Sequence, residues 1–488
     1  MRVMVLVFAI VAWVGISEAG EVTAASCTPT AVQAAISTAA TGDTVRVPPG
    51  TCTWSSAISL PVTKDLAVIG ATVVSCSGTP ITCTANDRTT LTCTSGVCFT
   101  INVGAAHRIS GFTLLAANSG GIASTGNQNL SKAFRIDHNR IVSNTGWAPV
   151  RFSGGSNAVA PQGIVDSNIL VDISFHSMGT RFMLDDGIQQ HQLWAQNTQL
   201  GDSTAVLYIE GNHFQQTSSN SNNADGNYGG RYVYRFNNTT SGRQSAEMHS
   251  VQGENRSMQR WEVYGNHGSN PSGWAGVAFV RGGSGVIFNN TLQAAGSWGF
   301  GIIMDNVRSE GDPGGGVGAC AGSSRWDLNS IGGQGYRCRD QVGSGHDITQ
   351  WSHTALGPHN QTFKPAYYWG NRMTNGNLMS VEVQNEGRDR LHIQPNRDYY
   401  TEGTFFDGTS GVGVGPVANR PATCTTGVAY WATDEGEWNS LQPGPDGRLY
   451  KCVAPHTWAL YYTPYPYPHP WRQGGGAPPA APTGLQVR

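Results

Sequence analysis

The densest group of side chains able to do chemistry lies between residues 247 and 281. Cations beside a base such as His249 suit proton abstraction next to a sugar carboxylate, because positive charge makes the neighbouring proton more acidic. The pattern therefore predicts one set of catalytic residues: Glu247, His249, Arg260 and Arg281. It also predicts a set that contacts substrate: Arg256, Trp261 and Tyr264. A ladder of Arg–Glu pairs that only braces strand ends is the alternative.

A second candidate lies in MLDDGIQQHQLW (183–194), where Asp185 and Asp186 are adjacent. Hydrolysis of a glycosidic bond needs two carboxyl groups, one protonated and one ionised. These two acids are therefore predicted to line a substrate site, with a hydrolytic role as one possibility. Paired Asp residues next to Gly are also common in plain turns.

Three acids recur at one place in a repeated unit: Asp137, Asp166 and Glu210. Calcium prefers clustered carboxylate oxygens, so acids stacked on neighbouring coils predict a Ca²⁺ site. The alternative is a solvated acidic edge.

The repeated unit indicates how these residues are positioned. Its copies include FRIDHNRI (134–141), GIVDSNIL (163–170), LYIEGNHF (207–214) and WEVYGNHG (261–268), each with alternating apolar residues and then an Asn. The Asn column is interpreted as residues 139, 168, 212, 238, 266, 290 and 371, and an Asn tolerates left-handed backbone angles. Strand alternation with a period of roughly 20–30 residues is typical of a β-solenoid. An antiparallel sandwich or propeller is the alternative.

Composition limits the range of functions. The 488 residues include 63 Gly, and charged residues make up only 13%. The formal net charge of −2 argues against a nucleic acid partner, because such partners are held by excess Lys and Arg.

The N-terminal segment and the Cys content predict export. Residues 1–19 read as a signal peptide, with Arg2 before an apolar run and a small-residue cleavage site. No later segment is long and apolar enough to predict a membrane span. Ten Cys in an exported chain predict disulfides, with Cys27–Cys52, Cys320–Cys338 and Cys424–Cys452 as natural pairs.

Residues 28–51, TPTAVQAAISTAATGDTVRVPPGT, combine an amphipathic helix with a turn and a strand, and LAVIGA (66–71) follows. This entry resembles that of the pectate-lyase-like right-handed parallel β-helix proteins, and FRIDHN resembles a segment of pectate lyases near calcium-binding acids. WEVYGN, RGGSGVIFNN and YYTPYPYPHP resemble an uncharacterised secreted bacterial branch of that superfamily. The resemblance implies an all-β, single-stranded, right-handed parallel β-helix over residues 20–400, with an N-terminal capping helix.

The superfamily includes lyases, hydrolases, esterases and non-catalytic fibres, so the resemblance implies a fold more than an activity. We expect a secreted, polysaccharide-active protein, with a lyase acting on an acidic glycan by β-elimination favoured. A non-catalytic glycan-binding or structural surface protein and a hydrolase using Asp185 and Asp186 are the alternatives. Residues 401–472, rich in aromatic residues and Pro, are expected to cap the solenoid or to bind sugar, and 473–488 to form a disordered tail.

Overall fold

The repeated units stack as successive turns of a parallel β-helix, as the sequence predicted. The computed structural model describes residues 19–472 apart from 103, 118, 126–132, 144–147, 155–159, 181–187, 204, 218–221, 241–243, 250–255, 271–274, 295–298, 306–336, 350–360 and 385–391. Residues 1–18 of the predicted signal peptide and the whole predicted tail therefore lie outside the described residues.

Sheet 1 contains the strands that carry the predicted repeat. Its residues alternate between the interior of the solenoid and its outer face, as expected for a period of two. In the described part of the chain its strands stack in parallel in this order: Glu21–Thr23, Thr44–Arg46, Leu66–Ile69, His107–Ser110, Phe134–Asp137, Gly163–Asp166, Leu207–Glu210, Arg231–Arg235, Arg260–Tyr264, Ser284–Phe288, Ala366–Trp369 and Tyr399–Thr401.

Sheet 2 follows sheet 1 after a two-residue turn in most coils. Its parallel strands, within the described residues, are Gly50–Trp54, Thr89–Cys93, Thr113–Ala116, Arg140–Ser143, Ile169–Val171, His213–Gln215, Asn238–Thr240, His267–Asn270, Thr291–Ala294 and Arg372–Met373.

Sheet 3 forms the third wall. Its described strands, also parallel, are Ala148–Gly154, Ile173–Thr180, Asn222–Asn227, Gln244–Met248, Ala275–Val280, Gly299–Met304 and Val381–Val383. A smaller parallel sheet precedes it, with strands Ile58–Ser59, Val97–Asn102 and Gly121–Thr125.

The remaining described elements decorate this framework. The helix Pro29–Thr38 buries Val32 and Ile36 in the core and packs against the first strands of sheet 1. In chain order the others are the hairpin Val73–Ser77 with Thr82–Asn86, the helix Ile188–Ala195, the antiparallel pair Ser344–Asp347 and Gln361–Phe363, the strand Val412–Gly415, the 3-10 turn Val417–Asn419, the strands Ala429–Ala432, Arg448–Ala454 and Thr457–Tyr462, and the 3-10 turn Pro470–Arg472.

A ladder of buried Asn side chains fixes the turn between sheets 1 and 2. Asn168 is typical: its Nδ2 donates to the carbonyls of Ile136 and Asp166, both at 2.9 Å, and to Asn212 Oδ1 at 3.0 Å. Its Oδ1 accepts the backbone N–H of Asn139 at 2.9 Å. The same contacts connect a continuous column of residues 139, 168, 212, 237, 266, 290 and 371.

The structure corrects the predicted Asn column in two ways: one coil contributes a different Asn, and the Asn residues do not have left-handed backbone angles. Asn237, not Asn238, occupies the column, and Asn238 begins a strand of sheet 2. The left-handed backbone angle belongs to the residue before each Asn, such as His138 at φ 52° and Phe236 at φ 52°. The Asn is therefore required for its hydrogen bonds, because it satisfies carbonyl and N–H groups that the turn buries.

Disulfides connect Cys27 to Cys52 and Cys424 to Cys452, which confirms two predicted pairs. Cys76–Cys83 and Cys93–Cys98 are also bonded. Cys338 takes part in a disulfide, while Cys320 lies outside the described residues. These bonds are compatible with an oxidising compartment. Among the helices that the structure describes, none is long and apolar enough to cross a membrane.

The Asn ladder predicts unequal effects for two neighbouring residues. Asn237→Ala removes the donor to the carbonyl of Ile209 (2.9 Å) and the acceptor of the Asn212 N–H (3.0 Å). We expect the free energy of unfolding to fall by about 1–3 kcal/mol for each buried group left unpaired. Asn238→Ala is the control, because within the described residues the Asn238 side chain has one hydrogen-bond partner, His267 Nδ1 at 3.2 Å, and its loss should cost less than half as much. Urea denaturation measures both variants, and equal losses would contradict the ladder.

Candidate functional site

The acids predicted to bind calcium do stack on neighbouring strands of sheet 1, with Asp137 beside Asp166 and Asp166 beside Glu210. Each buried carboxylate, however, contacts a guanidinium group. The closest pairs are Arg108 Nη2–Asp137 Oδ2 at 2.6 Å, Arg135 Nε–Asp166 Oδ1 at 2.8 Å and Arg235 Nη2–Glu210 Oε2 at 2.6 Å. Calcium requires about six to eight oxygen ligands, and here cationic nitrogen atoms surround the carboxylates. These three residues therefore do not fit a calcium site.

Residues 469 and 472 complete this ion-pair ladder. Arg472 lies 3.3 Å from a carboxylate oxygen of both Asp166 and Glu210. The backbone N–H of His469 also donates to Glu210 Oε1 at 2.9 Å. Although burial disfavours the charged carboxylate, Arg235 and Arg472 hold the pKa of Glu210 below its usual range. The acidic column is an ion-paired seam between sheet 1 and the C-terminal segment, defined here as residues 401–472.

The acidic column continues on the later strands of sheet 1 as aromatic residues, and the same C-terminal segment covers them. Tyr264 stacks on Phe288 and Phe288 on Trp369, each with ring centroids 4.5 Å apart. Trp431 of the C-terminal segment packs against Phe288 at 5.1 Å and Trp369 at 5.0 Å. The side chain of Tyr264 is fully buried, so the prediction that it contacts substrate is wrong.

Two further residues predicted to contact substrate are internal. Trp261 faces the interior of the solenoid, where it stacks on Tyr368 at 6.1 Å. Arg256 is fully buried and binds Asp340 (Nε–Oδ2 2.7 Å) and Asp347 (Nη1–Oδ2 2.9 Å). Neither side chain reaches solvent, so neither contacts a glycan in this structure.

Arg260 also has an internal partner. It lies on the outer face of sheet 1, only 2% exposed, and its Nη2 donates to Glu262 Oε1 at 2.6 Å. Glu262 in turn accepts from the Tyr462 hydroxyl at 2.7 Å and from the backbone N–H of Gly201 at 2.9 Å. The prediction that Arg260 belongs to one catalytic set with His249 and Arg281 is wrong, because a strand of sheet 1 and the end of a strand of sheet 3 lie on different walls.

Arg260→Ala should therefore affect stability. Removing one partner of a buried ion pair leaves Glu262 with an uncompensated charge, and the expected loss is about 3 kcal/mol. Arg46→Ala is the matched control, because Arg46 and its partner Glu21 have side chains 47% and 54% exposed. That exposed pair should contribute less than about 1 kcal/mol. Thermal unfolding of both variants measures the difference, and an unchanged Arg260→Ala midpoint would contradict the buried pair.

Sheet 3 presents two outward rows of polar side chains. In the first row, parallel pairing places His176 beside Asp225 and Asp225 beside Glu247. Asp225 Oδ2 lies 3.8 Å from His176 Nδ1, and Asn222 Nδ2 donates to Glu247 Oε2 at 2.9 Å. Because the strands are in register, the backbone itself brings these groups together.

The second row lies two residues further along each strand and contains His249 and Arg281. His249 Nδ1 lies 3.1 Å from Glu247 Oε1, and Arg281 Nη1 lies 3.2 Å from the same oxygen. Arg281 Nε lies 3.3 Å from Asp305 Oδ2, and the guanidinium packs over Phe279 at 3.9 Å. The side chains of His249 and Arg281 are 30% and 22% exposed, so this cluster reaches solvent.

Burial and mutual contacts separate the pKa values of these groups. Burial and the nearby Glu247 raise the pKa of Asp225 to about 7. Burial acts the same way on Glu247, but the hydrogen bond from His249 and the charge of Arg281 lower its pKa. Burial opposes charge on His249, and its bond to Glu247 outweighs this and raises its pKa. Near neutral pH the cluster therefore combines an ionised Glu247 with a partly protonated Asp225.

The structure brings together Glu247, His249 and Arg281 of the predicted catalytic set. Asp185 and Asp186 lie outside the described residues, and the segment after them is the helix Ile188–Ala195 rather than a strand. Sequence reasoning missed Asp225, although a signal exists: Ala224-Asp225 and Ala246-Glu247 are equivalent Ala–acid pairs on adjacent strands. Aligning the segments that follow successive Asn units, as well as the Asn units themselves, reveals these pairs.

No protein-family profile matches the chain, and no curated protein matches it. Among solved structures, the chain is similar to an alginate lyase from Paenibacillus sp. str. FPU-7, with 11% identity and a TM-score of 0.41 over 75% of this chain and 98% of that chain. It is also similar to the catalytic domain of a GH87 alpha-1,3-glucanase in complex with nigerose, with 10% identity and a TM-score of 0.30 over 79% of this chain and 69% of that one. Similarity this low carries no information about activity.

The contact between Glu247 and His249 predicts a measurable shift. Glu247→Gln removes the negative charge that stabilises the imidazolium, so burial then dominates and the pKa of His249 should fall below its value in the unmodified protein. Histidine NMR titration measures it. Glu382→Gln is the control, because Glu382 lies on the last strand of the same sheet and should leave this pKa unchanged. No change in Glu247→Gln would contradict the dyad.

Proposed function

We propose that the chain is a secreted enzyme that cleaves a uronic-acid-containing glycan by β-elimination on the outer face of sheet 3. The observation that supports this is a His–Glu dyad beside a second carboxyl group. Glu247 holds Nδ1 of His249, and Asp225 lies on the adjacent strand. A donor atom from each of the three residues lies within 4.8 Å of the others. A base and an acid on the same face suit removal of a proton and of a leaving group from one side of a sugar.

His249 is the proposed base. Its Nδ1 faces Glu247, and in the described part of the chain Nε2 has no hydrogen-bond partner. When Nδ1 donates to Glu247, Nε2 carries the lone pair that takes the proton next to the uronate carboxylate. Glu247 then stabilises the imidazolium, as a carboxylate does in other His-based dyads.

Asp225 is the proposed acid. With a pKa of about 7 it is partly protonated near neutral pH and can donate its proton to the glycosidic oxygen. The C–H bond breaks, its electron pair forms the new double bond, and the C–O bond to the leaving sugar breaks. His249 gains one proton and Asp225 loses one, and exchange with water restores both. Arg281, the cation next to His249, is the proposed partner of the uronate carboxylate.

Hydrolysis is the second candidate, and one observation favours it. Asp225 and Glu247 are neighbouring carboxyl groups whose pKa values shift in opposite directions, as in many glycosidases. Against it, both oxygens of Glu247 are already bound. Oε1 contacts His249 and Arg281, and Oε2 accepts from Asn222. A carboxylate held by three partners is a poor nucleophile and a good orienting group.

A panel of polysaccharides separates these possibilities. A lyase produces ultraviolet absorbance from the new double bond, and a hydrolase releases reducing ends without it. Neither signal on any acidic or neutral glycan would overturn the enzymatic proposal and favour a glycan-binding or structural protein.

Single substitutions test whether the activity depends on His249 and Asp225. His249→Gln and Asp225→Asn should each lower kcat by about 100-fold or more, since each removes a positioned acid or base. His267→Gln, on sheet 2, should retain full activity. As pH increases, the rate should rise while His249 loses its proton and becomes a base. It should fall when Asp225 loses the proton that it donates, around its pKa of about 7. Full activity in both His249→Gln and Asp225→Asn would place the chemistry elsewhere.

A further inference from the structure

Asp225, Glu247 and His249 also have the composition of a metal site. Each offers one donor atom, and these atoms lie within 4.8 Å of one another. Ligand atoms around a four-coordinate metal with bonds of about 2.0–2.2 Å stand roughly 3–4 Å apart. Small side-chain rotations would therefore close the set, because parallel pairing already fixes the backbone of Asp225 and Glu247.

Asp225 has a carboxylate oxygen that is available to bind a cation. The residue is 8% exposed, and its Oδ1 accepts the backbone N–H of Gly226 at 2.7 Å. Within the described residues, Oδ2 has no hydrogen-bond partner, and His176 Nδ1 stands 3.8 Å away. When both carboxyl groups are ionised, their repulsion in a buried position is unfavourable without a cation between them.

Arg281, one of the present partners of Glu247, can release it. Arg281 Nη1 contacts Glu247 Oε1, but the same guanidinium lies 3.3 Å from Asp305 Oδ2 and packs over Phe279. If Glu247 turned towards a metal, Arg281 would keep a carboxylate and an aromatic ring as partners. The rearrangement therefore leaves no buried charge unpaired.

We propose that Asp225, Glu247 and His249 bind one divalent transition-metal ion, of which Zn²⁺ and Co²⁺ are representative. The two carboxylates balance the charge of the ion, and the imidazole favours a transition metal over Ca²⁺ or Mg²⁺. Its consequence for catalysis rests on the proposed function: an ion on these atoms occupies the base and the acid together, so it inhibits elimination. Metal binding itself does not depend on that function.

Co²⁺ titration of the full chain, after removal of metals with a chelator, tests the site. Visible d–d absorption reports the ligand field, and calorimetry reports the stoichiometry. We expect one equivalent to bind, and Asp225→Asn and His249→Gln each to weaken binding by tenfold or more. His267→Gln is the matched control and should bind as the unmodified protein does. Circular dichroism of each variant verifies folding.

Absence of a one-equivalent site, or equal binding by Asp225→Asn, His249→Gln and the unmodified protein, would overturn the proposal. Should Asp225→Asn fail to fold, His249→Gln alone decides, because the His249 side chain is partly exposed. Glycan cleavage is measured separately. Cleavage is assayed on the metal-free protein: cleavage by a protein that binds no metal refutes only the metal site, and metal binding by a protein that shows no cleavage when metal-free refutes only the proposed lyase.

Discussion

The Asn ladder at the turn between sheets 1 and 2 is the interaction on which the rest of this structure depends. Each amide binds carbonyl groups in its own coil and in the preceding one, and its oxygen accepts an N–H from that preceding coil. The ladder thus locks neighbouring coils in register at one corner. Because side chains in a strand alternate between two faces, a slip of one residue would reverse every row on the walls. The ion-paired seam of sheet 1 and the polar rows of sheet 3 both require this register.

The fold was predictable because a short sequence pattern is repeated in successive coils. Alternating apolar residues followed by Asn recur often enough to indicate a solenoid. The three predicted acids each lie two residues before the Asn of their coil. The prediction failed locally where YRFNNTT offers two adjacent Asn residues: the residue two places before Asn238 is Phe236, whereas the one two places before Asn237 is Arg235. Arg235 is the residue that pairs with Glu210, so this one-residue error removed the cation that argues against calcium.

The candidate site was predictable only in part, for a physical reason. Residues close in sequence, such as His249 and Arg260, belong to different walls of the solenoid, since the chain turns a corner between them. Residues far apart, such as Arg235 and Pro466, make direct contact, with Nη2 donating to the carbonyl at 2.9 Å. Which outer face stays open depends on where the C-terminal segment packs, and no local pattern encodes that choice.

The contact of Arg472 with Asp166 determines when this seam can close as the chain is synthesised. Arg135 donates to the carbonyl of Trp471 across 336 positions of sequence, so coils synthesised early lack this partner until a residue made much later is present. Until then the acidic and aromatic rows of sheet 1 are uncovered, and the chain emerges with its charges only partly matched. Coils can stack one after another during synthesis, but this seam cannot close before residues 471 and 472 have been made. Premature termination near residue 460 would therefore weaken coils that were made some 300 residues earlier.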